Sequence, residues 1–374
     1  MLEAGAFRRR QLAPLRLVNR ALCAAASDPS LYRGYTCDSV AAIEALPPFV
    51  ANSIHRLKLF GKGIVDLGII SRLVPSLTAL SARGRGLANA AGAALALREL
   101  YMGDDSVWQD TEHSGDVLTQ LASLENLQVA RLDRLPPVAL LSGLRRLCLH
   151  RIKADGGDLM HALASAPCAV TLEAVHLELW LTTTMSSGWW VALAELRGLR
   201  EFGLTARGFR GLTPEDAGAL ANVLADHPTI DVFNLCVSNK AAGAVLRRGF
   251  SSNLRVLRIQ GEFEDLMAVL PPNLAALQFL DTGRGHCSAA DVDALLSRCP
   301  RLRALAISCD DEAIKCLTSG TLGQPLLLLR QLSATKARVY DANATAGHKL
   351  GYLEIGVHWR IAGGVVFDGK AIGV

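Results

Sequence analysis

Along most of this chain, hydrophobic and polar positions follow one short phrase. In Asn253-Leu254-Arg255-Val256-Leu257-Arg258-Ile259-Gln260-Gly261 an apolar residue is followed by two variable ones, an apolar one, a variable one and another apolar one. Leu144-Arg-Arg-Leu147-Cys-Leu149, Leu302-Arg-Ala-Leu305-Ala-Ile307 and Leu350-Gly-Tyr-Leu353-Glu-Ile355 are spelled the same way. Side chains of a strand alternate between faces, so the fourth and sixth positions of the phrase turn inward and the third, fifth and seventh outward. Starts are read at Ile54, Leu77, Leu97, Leu127, Leu144, Leu172, Leu199, Ile230, Leu254, Leu274, Leu302, Leu329 and Leu350, at steps averaging about 25 residues.

Between these strands lie helices with clear punctuation. Thr213-Pro214-Glu215-Asp216 combines a capping threonine, a proline at the first helical position and an acid at the third. Leu220, Val223 and Leu224 follow at helical spacing until Pro228. Ser288-Ala-Ala-Asp291 repeats the device before Val292, Leu295 and Leu296, and Leu159, Leu163 and Ala166 precede Pro167. Strand and helix in alternation predict an α/β solenoid with a parallel sheet on its concave side. Gly364-Val365-Val366-Phe367 is expected to close its open end.

Thirteen such phrases resemble the leucine-rich repeats. The resemblance implies a leucine-rich repeat solenoid, or horseshoe, over residues 51–374, preceded by a helical segment over residues 1–50. The asparagine usual at position nine is mostly replaced, by Ile152, Glu262 or Asp310, which is similar to the irregular, helix-bearing repeats of ribonuclease-inhibitor type.

The N-terminal segment has its own pattern. Pro14 suits a first helical turn, Leu15, Val18, Leu22 and Ala25 share one helical face, and Ser27-Asp28-Pro29 ends the run. Taken alone, this is an amphipathic helix that caps a core. The order Leu15-Arg16-Leu17-Val18-Asn19-Arg20 followed by Ser27-Asp28-Pro29-Ser30-Leu31-Tyr32-Arg33 also resembles the second half of an F-box. The family's opening Leu-Pro-x-Glu has no counterpart in Met1 to Arg10, and Leu22 stands where a Trp is common. The resemblance implies a non-catalytic substrate-recognition subunit of a cullin–RING ubiquitin ligase, with Leu15, Leu17, Val18, Leu22 and Leu31 meeting the adaptor. A free-standing repeat scaffold is the alternative.

Composition narrows the picture further. Half of the 374 residues are hydrophobic but only 5% are aromatic, so the core is aliphatic. A net charge of +4 is too small and too dispersed for a nucleic-acid partner. Nine cysteines at irregular spacing, with no CxxC, read as free thiols of a cytoplasmic or nuclear protein, and Cys148 reads as a small apolar filler. No apolar run has the ~18 residues of a membrane span. The five Arg and single acid of the first 27 residues also suit a mitochondrial presequence.

Chemistry-bearing motifs are absent: there is no GxSxG, no GxxxxGK[ST] and no HExxH, and no cofactor or metal is implied. What remains is the concave lining. Arg56, Lys58, Arg83, Arg131, Arg146 and His150 are expected there in the early repeats, as a basic arc for an acidic or phosphorylated protein segment. Glu178, Glu201, Asn234, Arg258, Gln260, Gln278, Gln331, Tyr352 and Glu354 are expected in the later ones. Trp189-Trp190 and Trp180 either fill a gap between repeats on the convex side or stand exposed as anchors.

Overall fold

The computed structural model describes residues 28–61, 63–83, 86–89, 96–103, 121, 123–130, 141–152, 156–179, 187–206, 212–237, 239–261, 266–272, 274–302, 304–309, 328–332, 353–356, 359–361 and 364–366. Leu15, Leu17, Val18, Leu22, Arg131, Trp180 and Tyr352 lie outside the described residues. The chain divides into two compact units, Met1–Leu147 and Cys148–Val374.

In the first unit β1 (Gly34–Cys37), β2 (Arg56–Leu59), β4 (Ala79–Ala82), β6 (Glu99–Met102) and β7 (Asn126–Ala130) lie side by side, all parallel. A second, two-stranded parallel sheet pairs β3 (Ile64–Asp66) with β5 (Gly86–Ala88). Short helices α1 (Val40–Glu44), α2 (Pro48–Ala51) and α3 (Leu67–Leu73) connect these strands. Asp66 starts α3: one carboxylate oxygen accepts the Ile69 amide at 2.9 Å and the other accepts Asn89 Nδ2 at 2.6 Å.

The strand β8 (Arg146–Ile152) spans the division. In the second unit β9 (Ala174–Leu179), β10 (Glu201–Ala206), β11 (Val232–Cys236), β12 (Val256–Gly261), β13 (Phe279–Cys287), β14 (Ala304–Cys309), β15 (Leu328–Leu332) and β16 (Leu353–Gly356) follow in sequence order, each parallel to the last. The crossovers carry α4 (Gly156–Ala164), α5 (Ser187–Glu195), α6 (Pro214–Asp226), α7 (Asn239–Arg247), α8 (Leu266–Val269) and α9 (Ala289–Arg298). At the C-terminal end β17 (Trp359–Ile361) and β18 (Gly364–Val366) form an antiparallel pair of their own. The fold is thus an α/β solenoid of the leucine-rich repeat class.

Its core is the set of first, fourth and sixth positions. Leu254, Leu257 and Ile259 are buried, as are Ile54, Leu57 and Leu59, and Leu199, Phe202 and Leu204. Each such side chain contributes about 1.5–3 kcal/mol of burial free energy, and stacking onto the next repeat is what makes the burial complete. A recurring hydrogen-bond pair sets the register. The carbonyl of the second position accepts the amides of the second and third positions of the next repeat, as at Arg33 (from His55 and Arg56) and Arg255 (from Gln278 and Phe279).

This bonding corrects three starts. Arg98 O accepts Glu125 N and Asn126 N, so the fifth strand begins its phrase at Leu124, not Leu127. The register Val256↔Phe279 likewise moves Leu274 to Leu277, and Ala304↔Leu328 moves Leu329 to Leu326. Each error is three residues, because a leucine three places to one side also opens a plausible phrase. In two cases the true sixth position is polar, Thr282 and Gln331, which made the displaced phrase look better. Gln278 consequently sits at the second position, ahead of the strand's outward residues, and Gln331 falls in register with Ile307 and Ile355. One repeat strand was not anticipated: β1 belongs to Tyr32-Arg33-Gly34-Tyr35-Thr36-Cys37, whose aromatic and sulfur residues replace leucine.

The helix punctuation is borne out. Thr213 Oγ1 accepts the Asp216 amide at 3.1 Å with Pro214 in the first turn, and Ser288 with Asp291 forms a reciprocal capping box. Leu159, Leu163, Leu220, Leu224, Val292, Leu295 and Leu296 are buried beneath these helices.

Candidate functional site

The alternation that buries the fourth and sixth positions also lays the third, fifth and seventh in rows across neighbouring strands, about 4.8 Å apart. These outward rows are where a solenoid of this kind exposes organised polar chemistry.

In the first unit Arg56, Lys58 and Arg83 are all exposed on this face. The Arg56 guanidinium reaches over Ala79 to the Glu99 carboxylate at 3.7 Å, with both side chains largely in water, so the pair is worth at most about 1 kcal/mol. Arg83 lies over the Phe60 ring, 4.8 Å from its centre, and Phe60 remains 41% exposed. Arg146, at the third position of β8, is exposed as well. Of the residues expected to meet an adaptor, only Leu31 lies among the described residues. It is half-buried in a single 3-10 turn, Pro29–Tyr32, and the next residue, Tyr32, is buried edge-on against Phe49 at 6.3 Å.

The second unit holds a more ordered array. Cys148 and His150 are the fifth and seventh positions of β8 and therefore share a face; Glu178 is the seventh position of β9. His150 Nε2 lies 3.1 Å from Cys148 Sγ, and His150 Nδ1 lies 3.0 Å from Glu178 Oε2. The Cys148 sulfur and the Glu178 carboxylate push the imidazole up from 6.5 to about 10, against the opposing effect of burial. Cys148 is thus an outward, half-buried thiol rather than the apolar filler expected from its leucine neighbours.

A second chain of contacts runs across four strands. His176 Nε2 meets Glu201 Oε1 at 3.1 Å, Asn234 Nδ2 donates to the same oxygen at 3.3 Å, and Arg258 donates to Asn234 Oδ1 at 3.0 Å. Arg258 also lies over the Phe279 ring, 5.2 Å from its centre. Gly203 makes this possible: a Cβ there would collide with His176 Nδ1. Gln260 belongs to β12, but its side chain lies outside the described residues. At the edge of the strands, the Arg200 guanidinium holds Asp231 at 2.6 Å, and that pairing raises its already high pKa.

The tryptophan pair does not join this face. Trp189 and Trp190 are buried in α5, packed edge-on at 5.9 Å, and Trp190 Nε1 donates to Asp216 at the start of α6 at 3.1 Å. They fill the space between helices of successive repeats. Buried thiols elsewhere are inert by comparison: burial pushes Cys299 up to about 12 and raises Cys37 and Cys168. Among the described residues no cluster of His, Cys, Asp and Glu could hold a metal ion, and no helix is long and apolar enough to cross a membrane.

No family model and no curated protein matches the chain. Several solved structures are similar to it. An internalin from Listeria monocytogenes is 18% identical, covering 91% of this chain and 92% of its own, with a TM-score of 0.45. Rad7, solved with Elc1 from yeast, is 16% identical over 83% of this chain and 86% of its own, with a TM-score of 0.44. A leucine-rich repeat protein of Leptospira interrogans is 15% identical over 89% and 88%, with a TM-score of 0.38.

Proposed function

We propose that the chain is a non-catalytic interaction scaffold that holds a protein partner against the outward face of its sheet. The observation that carries this reading is the organised polar surface itself. In the second unit, His176, Glu201, Asn234 and Arg258 brace one another across four strands. Side chains held in this way lose little further freedom when they meet a partner, which favours recognition. In the first unit, Arg56, Lys58 and Arg83 offer a basic arc to an acidic or phosphorylated segment, where arginine's planar fork can pair with carboxylate or phosphate.

The finer reading is a substrate-recognition subunit of a cullin–RING ubiquitin ligase in the cytoplasm or nucleus. Its N-terminal segment would grip the adaptor through Leu15, Leu17, Val18, Leu22 and Leu31. The F-box-like order through Ser27-Asp28-Pro29 and Leu31-Tyr32-Arg33 supports it. So does the burial of Tyr32 in the first repeat, which would couple the adaptor-binding segment to the solenoid without a flexible linker.

Affinity capture of the full-length chain from cells, with quantitative mass spectrometry, tests both parts. The triple variant Arg56→Glu, Lys58→Glu, Arg83→Glu is expected to lose the partner, while Val191→Gln, on the helical side, retains it. Removal of residues 1–27 is expected to lose the ligase adaptor and keep the partner. A wild-type chain that recovers partner but no adaptor is a free-standing scaffold instead.

A further inference from the structure

The outward face carries one arrangement that partner capture does not require. Cys148, His150 and Glu178 form a thiol, an imidazole and a carboxylate in line, at 3.1 Å and 3.0 Å. The carboxylate can only accept, so Nδ1 carries a proton toward Glu178 and Nε2 is turned to the sulfur. One proton is then shared between Cys148 Sγ and His150 Nε2. A nucleophile, a base within hydrogen-bond reach and a third group that orients the base are the parts an activated thiol needs. Strand geometry supplies them directly: residues two apart share a face, and Glu178 stands on the adjoining strand.

We propose that Cys148 is a selectively reactive thiol that undergoes exchange with small-molecule disulfides, with His150 as its base and Glu178 as the residue that positions His150. The sulfur of Cys148 attacks one sulfur of the disulfide. The bond between the two disulfide sulfurs breaks, the leaving thiolate takes the proton held at His150 Nε2, and Cys148 is left as a mixed disulfide. No other oxidant is consumed.

The product has no resolving thiol among the cysteines whose side chains are described. Cys37, Cys168, Cys287 and Cys299 are buried. Cys236 is half-buried, but it stands on β11, three strands from β8. That is about 14 Å at the usual strand spacing, beyond the ~7 Å that a disulfide spans between Cα atoms. Cys236 therefore serves as an internal control: it is comparably exposed and has no imidazole bonded to it among the described residues.

The test uses the reduced full-length chain with glutathione disulfide near pH 7, followed by peptide mass spectrometry. An ordinary thiol is only a few per cent thiolate there. An imidazole bonded to the sulfur, able to take its proton as the sulfur attacks, gives Cys148 a net advantage of about fivefold. Cys148 should form the mixed disulfide about fivefold faster than Cys236. His150→Gln should bring it to within about twofold of Cys236, with melting temperature and far-UV spectrum confirming the fold. Glu178→Gln should give an intermediate rate. Iodoacetamide on the wild-type chain decides the matter without any variant. At pH 7 it should alkylate Cys148 about fivefold faster than Cys236. Equal rates at the two cysteines, or a His150→Gln rate equal to wild type, would overturn the proposal.

Discussion

Phe233→Ala is the perturbation that probes the stacked core most sharply. Phe233 is the fourth position of β11 and is fully buried. Its ring stacks on Phe202 of the preceding repeat at 6.2 Å and 12°, and meets Phe250 at 5.6 Å. Loss of the transfer free energy alone costs about 2–3 kcal/mol. Collapse is resisted, because Phe202 and Leu257 flank the site in register and the strands carrying them are pinned by continuous ladders. The lost ring contacts and the retained cavity therefore bring the cost to about 4 kcal/mol, within the usual range for Phe→Ala. A long repeat array need not unfold in one step, so a single global midpoint is the wrong readout. Hydrogen exchange by mass spectrometry resolves the effect locally. Protection should fall in Glu201–Ala206, Val232–Cys236 and Val256–Gly261 and stay unchanged in Arg56–Leu59. A loss below about 1 kcal/mol, or one spread evenly over the chain, would refute nearest-neighbour stacking of these rings.

Other outcomes follow from single contacts. Gly203→Ala should displace His176 from Glu201 and cost under about 1 kcal/mol, because the pair is partly exposed; histidine NMR and a thermal melt read the two effects. Ser288→Ala should remove the bond that the hydroxyl accepts from the Asp291 amide, leave the backbone amide of residue 288 donating to the Asp291 carboxylate, and cost about 1 kcal/mol, seen as faster exchange in the first turn of α9. Burial lowers the pKa of His227, so the unfolded chain binds its proton first as pH falls below 6.5. Its contribution to stability is therefore complete above 6.5 and lost as pH drops toward the lowered value, and His227→Leu should flatten the acid side of a stability profile. His150 behaves oppositely: held up at about 10, its stabilisation is complete below 6.5 and fades as pH rises from there to about 10. NMR should find that imidazole protonated at pH 8, with Glu178→Gln lowering its titration.

The repeat was readable because its signal is cumulative. A strand needs apolar residues at only three positions, and Leu254, Leu257 and Ile259 meet that need as plainly as any. Register was the weaker part. Where Thr282 occupies a core position, the phrase starting at Leu274 was spelled better than the true one at Leu277, and only the hydrogen bonds that Arg255 O accepts from Gln278 and Phe279 decide between them. The first strand escaped because Tyr32, Tyr35 and Cys37 do a leucine's work.

The outward face was half legible. Alternation placed Arg56, Lys58, Arg83, Arg146, His150 and Arg258 on it, but could not show that Glu99 answers Arg56 or that Glu178 answers His150. Such pairs depend on which strands neighbour one another and in what register. Cys148 was misjudged for a local reason: its flanking leucines suggested an apolar site, although the period of two that buries Leu147 and Leu149 turns Cys148 outward beside His150. That spacing was the available signal.

The most direct test of partner capture is site-specific photo-cross-linking in cells. A photoreactive residue replaces Arg258 on the outward face in one full-length chain and Val191, exposed on α5, in another. The account predicts that one defined protein is cross-linked from position 258 and not from 191, and that Asn234→Ala with Glu201→Ala weakens the yield. Cross-linking of that protein from position 191 but not from 258 would place the partner on the helical side and contradict it.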